Sequence, residues 1–276
     1  MRTLQKTLVS AVLCTLAWHG GAIAQSPNPA TTASYEPTVG QSGKDVVWVP
    51  TPQTLVDRML DLAALTPQDR LVDLGSGDGR TVITAAKRGA VARGIEFNPD
   101  MVALARGAAQ AEGVADRASF EQADIFQSDF SEATVITLFL LPRLNERLRP
   151  TLLDMKPGTR VVSNSFTMGD WQPDESVQVT DQCSAYCHAY KWVVPAKVAG
   201  NWKLGDQELV LEQTYQMLSG SMRNGSAATP ISDARLDGDT IHFTVGTQRY
   251  TGRVSGDAMQ GSTAGNATWQ ASRASR

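Results

Sequence analysis

Residues 70–80 read Arg-Leu-Val-Asp-Leu-Gly-Ser-Gly-Asp-Gly-Arg, and this stretch constrains the fold more than any other. Residues 71–74 are apolar apart from Asp73, as in a short buried strand. Gly75, Gly77 and Gly79 follow at alternate positions, and residues 81–89 then read as a helix. A strand, a glycine turn and a helix let backbone approach a ligand closely, because glycine has no Cβ and accepts positive φ. A single glycine would fit any tight strand-to-helix turn. Three alternating glycines, with Asp73 and the acids described below, favour a ligand site.

From residue 70 the pattern alternates strand and helix. Strands are expected at 70–74, 92–97, 118–123, 134–141 and 159–165. Helices are expected at 80–88, at 99–112 with Asn98 as cap and Gly113 as stop, and around Leu144, Leu148 and Leu152, interrupted by Pro150. Before them, Thr51 reads as an N-cap with Pro52 at the first helical position, and Leu55, Met59, Leu62 and Leu65 form the apolar face. Repeated units of this kind specify a parallel sheet with helices on both faces. Residues 176–180 and 190–194 then read as an antiparallel hairpin. Residues 199–276 carry short alternating runs separated by Gly, Ser, Thr and Asn, which predict a small antiparallel β unit of roughly five to seven strands.

The N-terminal segment has a different character. Arg2 and Lys6 precede a short apolar run over 8–18, and Ala22-Ile23-Ala24 is a small-x-small cleavage pattern before Gln25. Residues 1–24 therefore read as a secretory signal, with an exported and periplasmic location as the expectation. Residues 25–44, rich in Ser, Pro, Thr and Ala, read as a linker. Removing 1–24 leaves 23 Lys and Arg against 28 Asp and Glu. An acidic balance argues against nucleic acid as the main partner, which would select a basic face. The remaining cysteines, Cys183 and Cys187, are read as a disulfide in an exported chain, with a zinc site including His188 as the alternative.

The glycine spacing narrows the ligand. A dinucleotide fingerprint is G-x-G-x-x-G/A, whereas here the third glycine comes one step earlier and Arg80 stands in its place. The acid-preceded G-x-G-x-G resembles motif I of the class I S-adenosylmethionine (SAM) methyltransferases. Val-Pro-Thr-Pro at 49–52, the 71–80 stretch, Gly-Ile-Glu-Phe-Asn-Pro at 94–99 and Leu-Leu-Pro at 140–142 are similar, more narrowly, to small seven-strand methyltransferases related to the ATP synthase c-subunit lysine methyltransferase.

This resemblance covers about residues 45–200. It implies a Rossmann-like α/β fold with a seven-stranded methyltransferase sheet and a methyltransferase domain over 45–198; the β unit over 199–276, read from its own pattern, follows as a separate small domain. It implies SAM as cofactor. The cofactor-binding set it suggests is Thr51, Asp73, Gly75, Ser76, Gly77, Asp78, Gly79, Glu96, Asn98 and Asp124. Glu96 would meet the ribose hydroxyls, in keeping with a ribose acid about 20 residues after the first glycine, and Asp124 the adenine amino group. An amine or a protein lysine is the acceptor class implied.

No catalytic residue is assigned. Residues 137–143 lack the Asp/Asn-Pro-Pro-aromatic motif of DNA amino-methyltransferases. Residues 163–171 lack the His-Asp pair that the resemblance would place there; Asp170 and Trp171 stand as acceptor-side candidates, beside the reading of a turn with a packed Trp. Export sits awkwardly with a cofactor made in the cytoplasm. A SAM- or nucleoside-binding envelope protein without transferase activity is therefore the alternative, and 199–276 as a recognition module a third reading.

Overall fold

The computed structural model describes residues 35–274. The expected signal over 1–24, including Cys14, and residues 25–34 of the expected linker lie outside the described residues. Among the described residues no helix is long and apolar enough to cross a membrane.

The chain enters through helix α1 (Gln53–Leu62), then strand β1 (Arg70–Leu74), α2 (Arg80–Lys87), β2 (Val91–Glu96), α3 (Pro99–Ala111), β3 (Ala118–Gln122), β4 (Val135–Leu138), α4 (Pro142–Leu153) and β5 (Arg160–Asn164). The hairpin follows as β6 (Glu175–Gln178) and β7 (His188–Val193). The sheet order is β3-β2-β1-β4-β5-β7-β6, with β1 to β5 parallel and β7 antiparallel to β5. The order reverses between β1 and β4, and the crevice outside the strand ends at such a switch point is where ligands bind in open α/β sheets. One face of the sheet packs on α1, α2 and α3 through residues such as Leu55, Val82 and Val102. The other packs on α4 through Leu144, Leu148 and Leu152, with Trp192 of β7 in the same cluster.

Four expectations change. Thr51 does not cap α1: the helix starts at Gln53 with no side-chain cap bond, and the Thr51 hydroxyl instead accepts from Asn164 Nδ2 at 3.1 Å. β4 ends at Leu138, because residues 139–141 leave the sheet to line a cleft. Pro150 lies inside α4 rather than interrupting it. Only the N–H at that one position is lost, near the helix end, and the buried side of α4 on either side of it, Leu148 and Leu152, holds it against the sheet. Residues 40–44, expected as linker, belong to the fold: Gly40 N donates to Trp48 O, Trp48 N to Gln41 O, and Gly43 N to Val46 O.

The C-terminal β unit has eight strands, not five to seven: β8 (Gly200–Leu204), β9 (Gln207–Thr214), β10 (Met217–Asn224), β11 (Ala227–Asp237), β12 (Thr240–Val245), β13 (Gln248–Ser255), β14 (Ala258–Thr263) and β15 (Thr268–Arg273). They form a closed antiparallel barrel in which β15 returns to β8. Closure removes both sheet edges. The interior is filled by a few large side chains, Trp202, Phe243 and Trp269 among them. Several strands contribute little to it: β10 buries only Met222, so its Ser- and Gly-containing sequence reads as loop.

The barrel docks on the seven-stranded sheet through a buried polar contact. Trp171 is fully buried, and its Nε1 donates to Gln216 Oε1 at 3.0 Å; Gln216 Nε2 donates to Gln172 O at 2.9 Å. Trp171 is thus a packing residue against Trp192 and Tyr215, not an acceptor-side residue. Asp170 pairs with Arg149 and accepts from Tyr215 Oη at 2.9 Å, which ties it to the same junction.

Candidate functional site: a cleft at the switch point

The glycine turn after β1 is held against β2. Gly75 N and Ser76 N both donate to Ile95 O, at 2.8 and 3.1 Å. Gly75 and Gly77 take positive φ and bring bare backbone to the cleft. A Cβ on Gly77 would lie 2.6 Å from Trp48 Nε1, so this position tolerates no side chain with the indole where it is. Gly79 has another task. It lies behind the cleft, where a Cβ would stand 2.7 Å from the Phe120 ring and 2.8 Å from Ala105 Cβ, and it lets α2 pack against the sheet.

Glu96 closes β2 and is oriented before any ligand arrives. Its Oε2 accepts from Gly77 N and its Oε1 from Asn98 N, both at 2.9 Å. A carboxylate has about four acceptor positions, so each oxygen can take a further donor. Asn98 caps α3 through its side chain, fixing the turn that presents Glu96. Asp124, just past β3, accepts from Phe126 N at 2.9 Å and from Lys44 Nζ at 2.5 Å. Those bonds hold its carboxyl below the usual range, the Lys44 bond first.

Asp73 is buried at the floor of the cleft and accepts from Thr137 Oγ1 at 2.7 Å. Burial pushes its pKa up to about 7, against the Thr137 bond and with help from the nearby charges of Glu96 and Asp78. Asp78 is already committed: it forms a two-pronged pair with Arg80 Nε and Nη2 at 3.0 and 2.5 Å, and Arg80 Nη1 donates to Thr51 O. Thr51, Asp73, Gly75, Ser76, Gly77, Asp78, Glu96, Asn98 and Asp124 all line one cleft; of the expected set only Gly79 does not.

Residues that sequence reasoning passed over complete the walls. The 40–48 strap crosses the cleft, pinned by Lys44 to Asp124 and by Arg143 Nη2 to Asp45 O. Lys44 Nζ also stands 4.8 Å from the centroid of Phe97, the residue after Glu96. Past β4, Phe139, Leu140 and Leu141 line the cleft together with Phe166 and Tyr186. Tyr186 belongs to the loop closed by the Cys183–Cys187 disulfide, which takes both thiols and so removes the zinc alternative. The Phe97 position has a signal in hindsight, an aromatic next to the acid that ends β2; the strap has none beyond its Val-Val-Trp-Val run.

The donor set fits SAM. The cofactor offers an ammonium, ribose hydroxyls and an adenine amine, all hydrogen-bond donors. The cleft offers acceptors: an oriented Glu96, Asp124, a buried Asp73, and glycine backbone with no room for a Cβ. The model of the ANTKMT methyltransferase domain matches residues 73–175, from the acid of β1 to the start of β6. A protein-lysine N-methyltransferase of Saccharolobus islandicus is 45% identical over 139 residues, covering 49% of this chain and 86% of that protein. The chain belongs to the SAM-dependent methyltransferases. A crystal structure from Salinibacter ruber, described as an RNA methyltransferase in complex with S-adenosyl-L-homocysteine, is 49% identical with a TM-score of 0.51; the match covers 54% of this chain and 96% of that one. The adenine nucleotide translocase lysine N-methyltransferase of Mus musculus is 35% identical over 134 residues, 48% of this chain and 58% of the mouse protein. Membership replaces the reading of a binding protein without transferase activity. This methyltransferase uses SAM.

Proposed function

We propose that this methyltransferase acts on an amine, a protein lysine in the first instance, and that it does so as an exported protein. The observation that carries the acceptor is the 45% identity to a protein-lysine N-methyltransferase across most of that enzyme's length. The cleft supports it. SAM, when bound, supplies a methyl group on a sulfonium, and a neutral amine can accept that methyl, with the thioether leaving, without a base acting on it in the transition state. The walls past β4 are apolar and aromatic, Phe139, Leu140, Leu141, Phe166 and Tyr186, and contribute orientation and exclusion of water instead of proton transfer. A nucleic-acid acceptor, the description carried by the Salinibacter ruber structure, is disfavoured by the acidic balance of the chain.

Glu96, Asp124 and the glycine turn are the cofactor-binding residues in this reading, with Glu96 on the ribose and Asp124 on the adenine amine. Export is supported by the Arg2–Lys6 start, the apolar run, Ala22-Ile23-Ala24, and a disulfide of the kind that persists in oxidising compartments. The acceptor reading is tested by the pH profile of methyl transfer to a lysine peptide. Lysine must arrive deprotonated, so the rate should climb toward the lysine pKa, roughly 10 in water; a flat profile counts against it. Export is tested by N-terminal sequencing of periplasmic protein, which should begin at Gln25.

A further inference from the structure

Three aromatic rings from three distant segments meet in the wall of the cleft past β4. Phe139 leaves β4, Phe166 follows β5, and Tyr186 sits in the disulfide loop between β6 and β7. Their centroids are 6.0 Å apart for Phe139 and Phe166, 5.1 Å for Phe139 and Tyr186, and 6.1 Å for Phe166 and Tyr186. All three line the cleft, and Tyr186 keeps 43% of its surface exposed. Burying such rings in the core would be the ordinary outcome for side chains of this size.

Elsewhere in this molecule, rings near cations are used: Lys44 stands over Phe97, Arg147 over Phe126 at 3.7 Å, and Arg149 over Tyr215. Among the described residues no Lys or Arg of the chain stands over Phe139, Phe166 or Tyr186. Phe139 and Phe166 lie within 20° of parallel, and Tyr186 stands at 64° and 54° to them; a cation over the triangle of centroids would lie within about 6 Å of all three, the range of cation–π attraction at a ring face.

Two of the seven non-glycine residues with positive φ among the described residues lie at this cluster. Ser165 and Tyr186, neither a glycine, take φ of 58° and 56°. Such conformations cost about 1 kcal/mol or more and persist where surrounding structure enforces them. Ser165 N donates to His188 O at 2.8 Å, Phe166 N donates to Asn164 O, and Val179 N donates to Cys187 O, so β5 and both ends of the disulfide loop are tied together around the rings.

We infer that Phe139, Phe166 and Tyr186 form an aromatic cage for the acceptor nitrogen as a cation, and that the Cys183–Cys187 disulfide positions its third wall. This rests on the amine reading of the acceptor. In the transfer, the amine lone pair forms the N–C bond while the S–C bond breaks with its electrons remaining on sulfur. The positive charge passes from sulfur to nitrogen, and the methylated ammonium gives its proton to water afterwards. The ring faces stabilise that arriving charge, so the cage favours the charged product end of the reaction and takes methylammonium groups as ligands. Reduction of the disulfide loosens the third wall and leaves the cofactor half intact.

The test uses the full chain saturated with S-adenosylhomocysteine and tetramethylammonium as probe, read by saturation-transfer NMR. Tert-butanol serves as the neutral probe of similar size. The expected result is saturation of tetramethylammonium and not of tert-butanol. Binding should fall roughly tenfold in Tyr186→Ala and in Phe139→Ala and persist in Tyr186→Phe, with S-adenosylhomocysteine affinity unchanged in Tyr186→Ala, which shows that the variant is folded. A Cys183→Ser/Cys187→Ser variant should weaken the probe as well. Equal saturation of both probes, or tetramethylammonium binding unchanged in Tyr186→Ala, overturns the cage; an unchanged double Cys variant overturns the role of the disulfide. Tetramethylammonium binding without methylation of any lysine peptide refutes the lysine acceptor and leaves the cage. Lysine methylation with the same KM in wild type and Tyr186→Ala refutes the cage and leaves the acceptor.

Discussion

Glu96 Oε2 accepts a hydrogen bond from Gly77 N at 2.9 Å, so the acid ending β2 and the glycine turn after β1 form one rigid unit. The second oxygen is held by Asn98 N. The carboxylate therefore meets a ligand already oriented, and little ordering remains to oppose binding. Glu96→Gln should weaken S-adenosylhomocysteine binding by about 1–3 kcal/mol, the worth of hydrogen bonds to a charged group, or roughly 5- to 150-fold. Titration calorimetry checks this. An affinity within experimental error of wild type removes Glu96 from the ribose.

Gly77→Ala tests the turn from the other side. The new methyl meets Trp48 Nε1 at 2.6 Å, and φ of 53° adds strain of about 1–2 kcal/mol for a residue with a Cβ. The strap must move. We expect a lower melting temperature together with weaker cofactor binding, whereas Gly107→Ala, inside α3 with nothing within 4 Å of the added carbon, should raise the melting temperature slightly and leave cofactor binding unchanged.

Asp73 makes affinity depend on pH. Its folded pKa, raised to about 7 by burial, exceeds the unfolded value of about 3.9. Between those values the folded protein holds a proton that the unfolded chain has released, so the stability of the free protein falls as pH rises through that window and levels off above it. An ammonium on the cofactor favours the ionised acid. Affinity should therefore rise from pH 5.5 to 8, with proton release seen as a dependence of the calorimetric heat on buffer ionisation enthalpy. Asp73→Asn should flatten both; a wild-type affinity independent of pH would contradict the assignment.

Gln216 reports on the barrel junction. It lies outside the cleft and satisfies the buried Trp171 indole. Gln216→Leu leaves that N–H without its acceptor and should cost about 1–3 kcal/mol in urea unfolding, with S-adenosylhomocysteine affinity preserved. An unchanged unfolding midpoint would show that the junction does not depend on this contact.

The legible parts of this chain are those encoded over short distances. The β1 turn, α2 and the Asn98 cap are each written in fewer than a dozen residues, and Glu96 follows from its spacing to Gly75. The barrel count was not legible, because β10 supplies one buried side chain in eight residues and closure is a long-range property. The strap was not legible either: residues 40–44 look like linker, and only Asp124, 80 positions after Lys44, gives them a place. Phe139, Phe166 and Tyr186 are three ordinary aromatics until the sheet order brings their segments together.

The most direct measurement is transfer of tritiated methyl from SAM to a bacterial protein extract, followed by acid hydrolysis and amino-acid analysis. The expected product is labelled Nε-methyllysine, lost in Glu96→Gln at limiting SAM. Label confined to a ribonuclease-sensitive fraction, or no label despite saturating SAM, would contradict the assignment of this methyltransferase to amine acceptors.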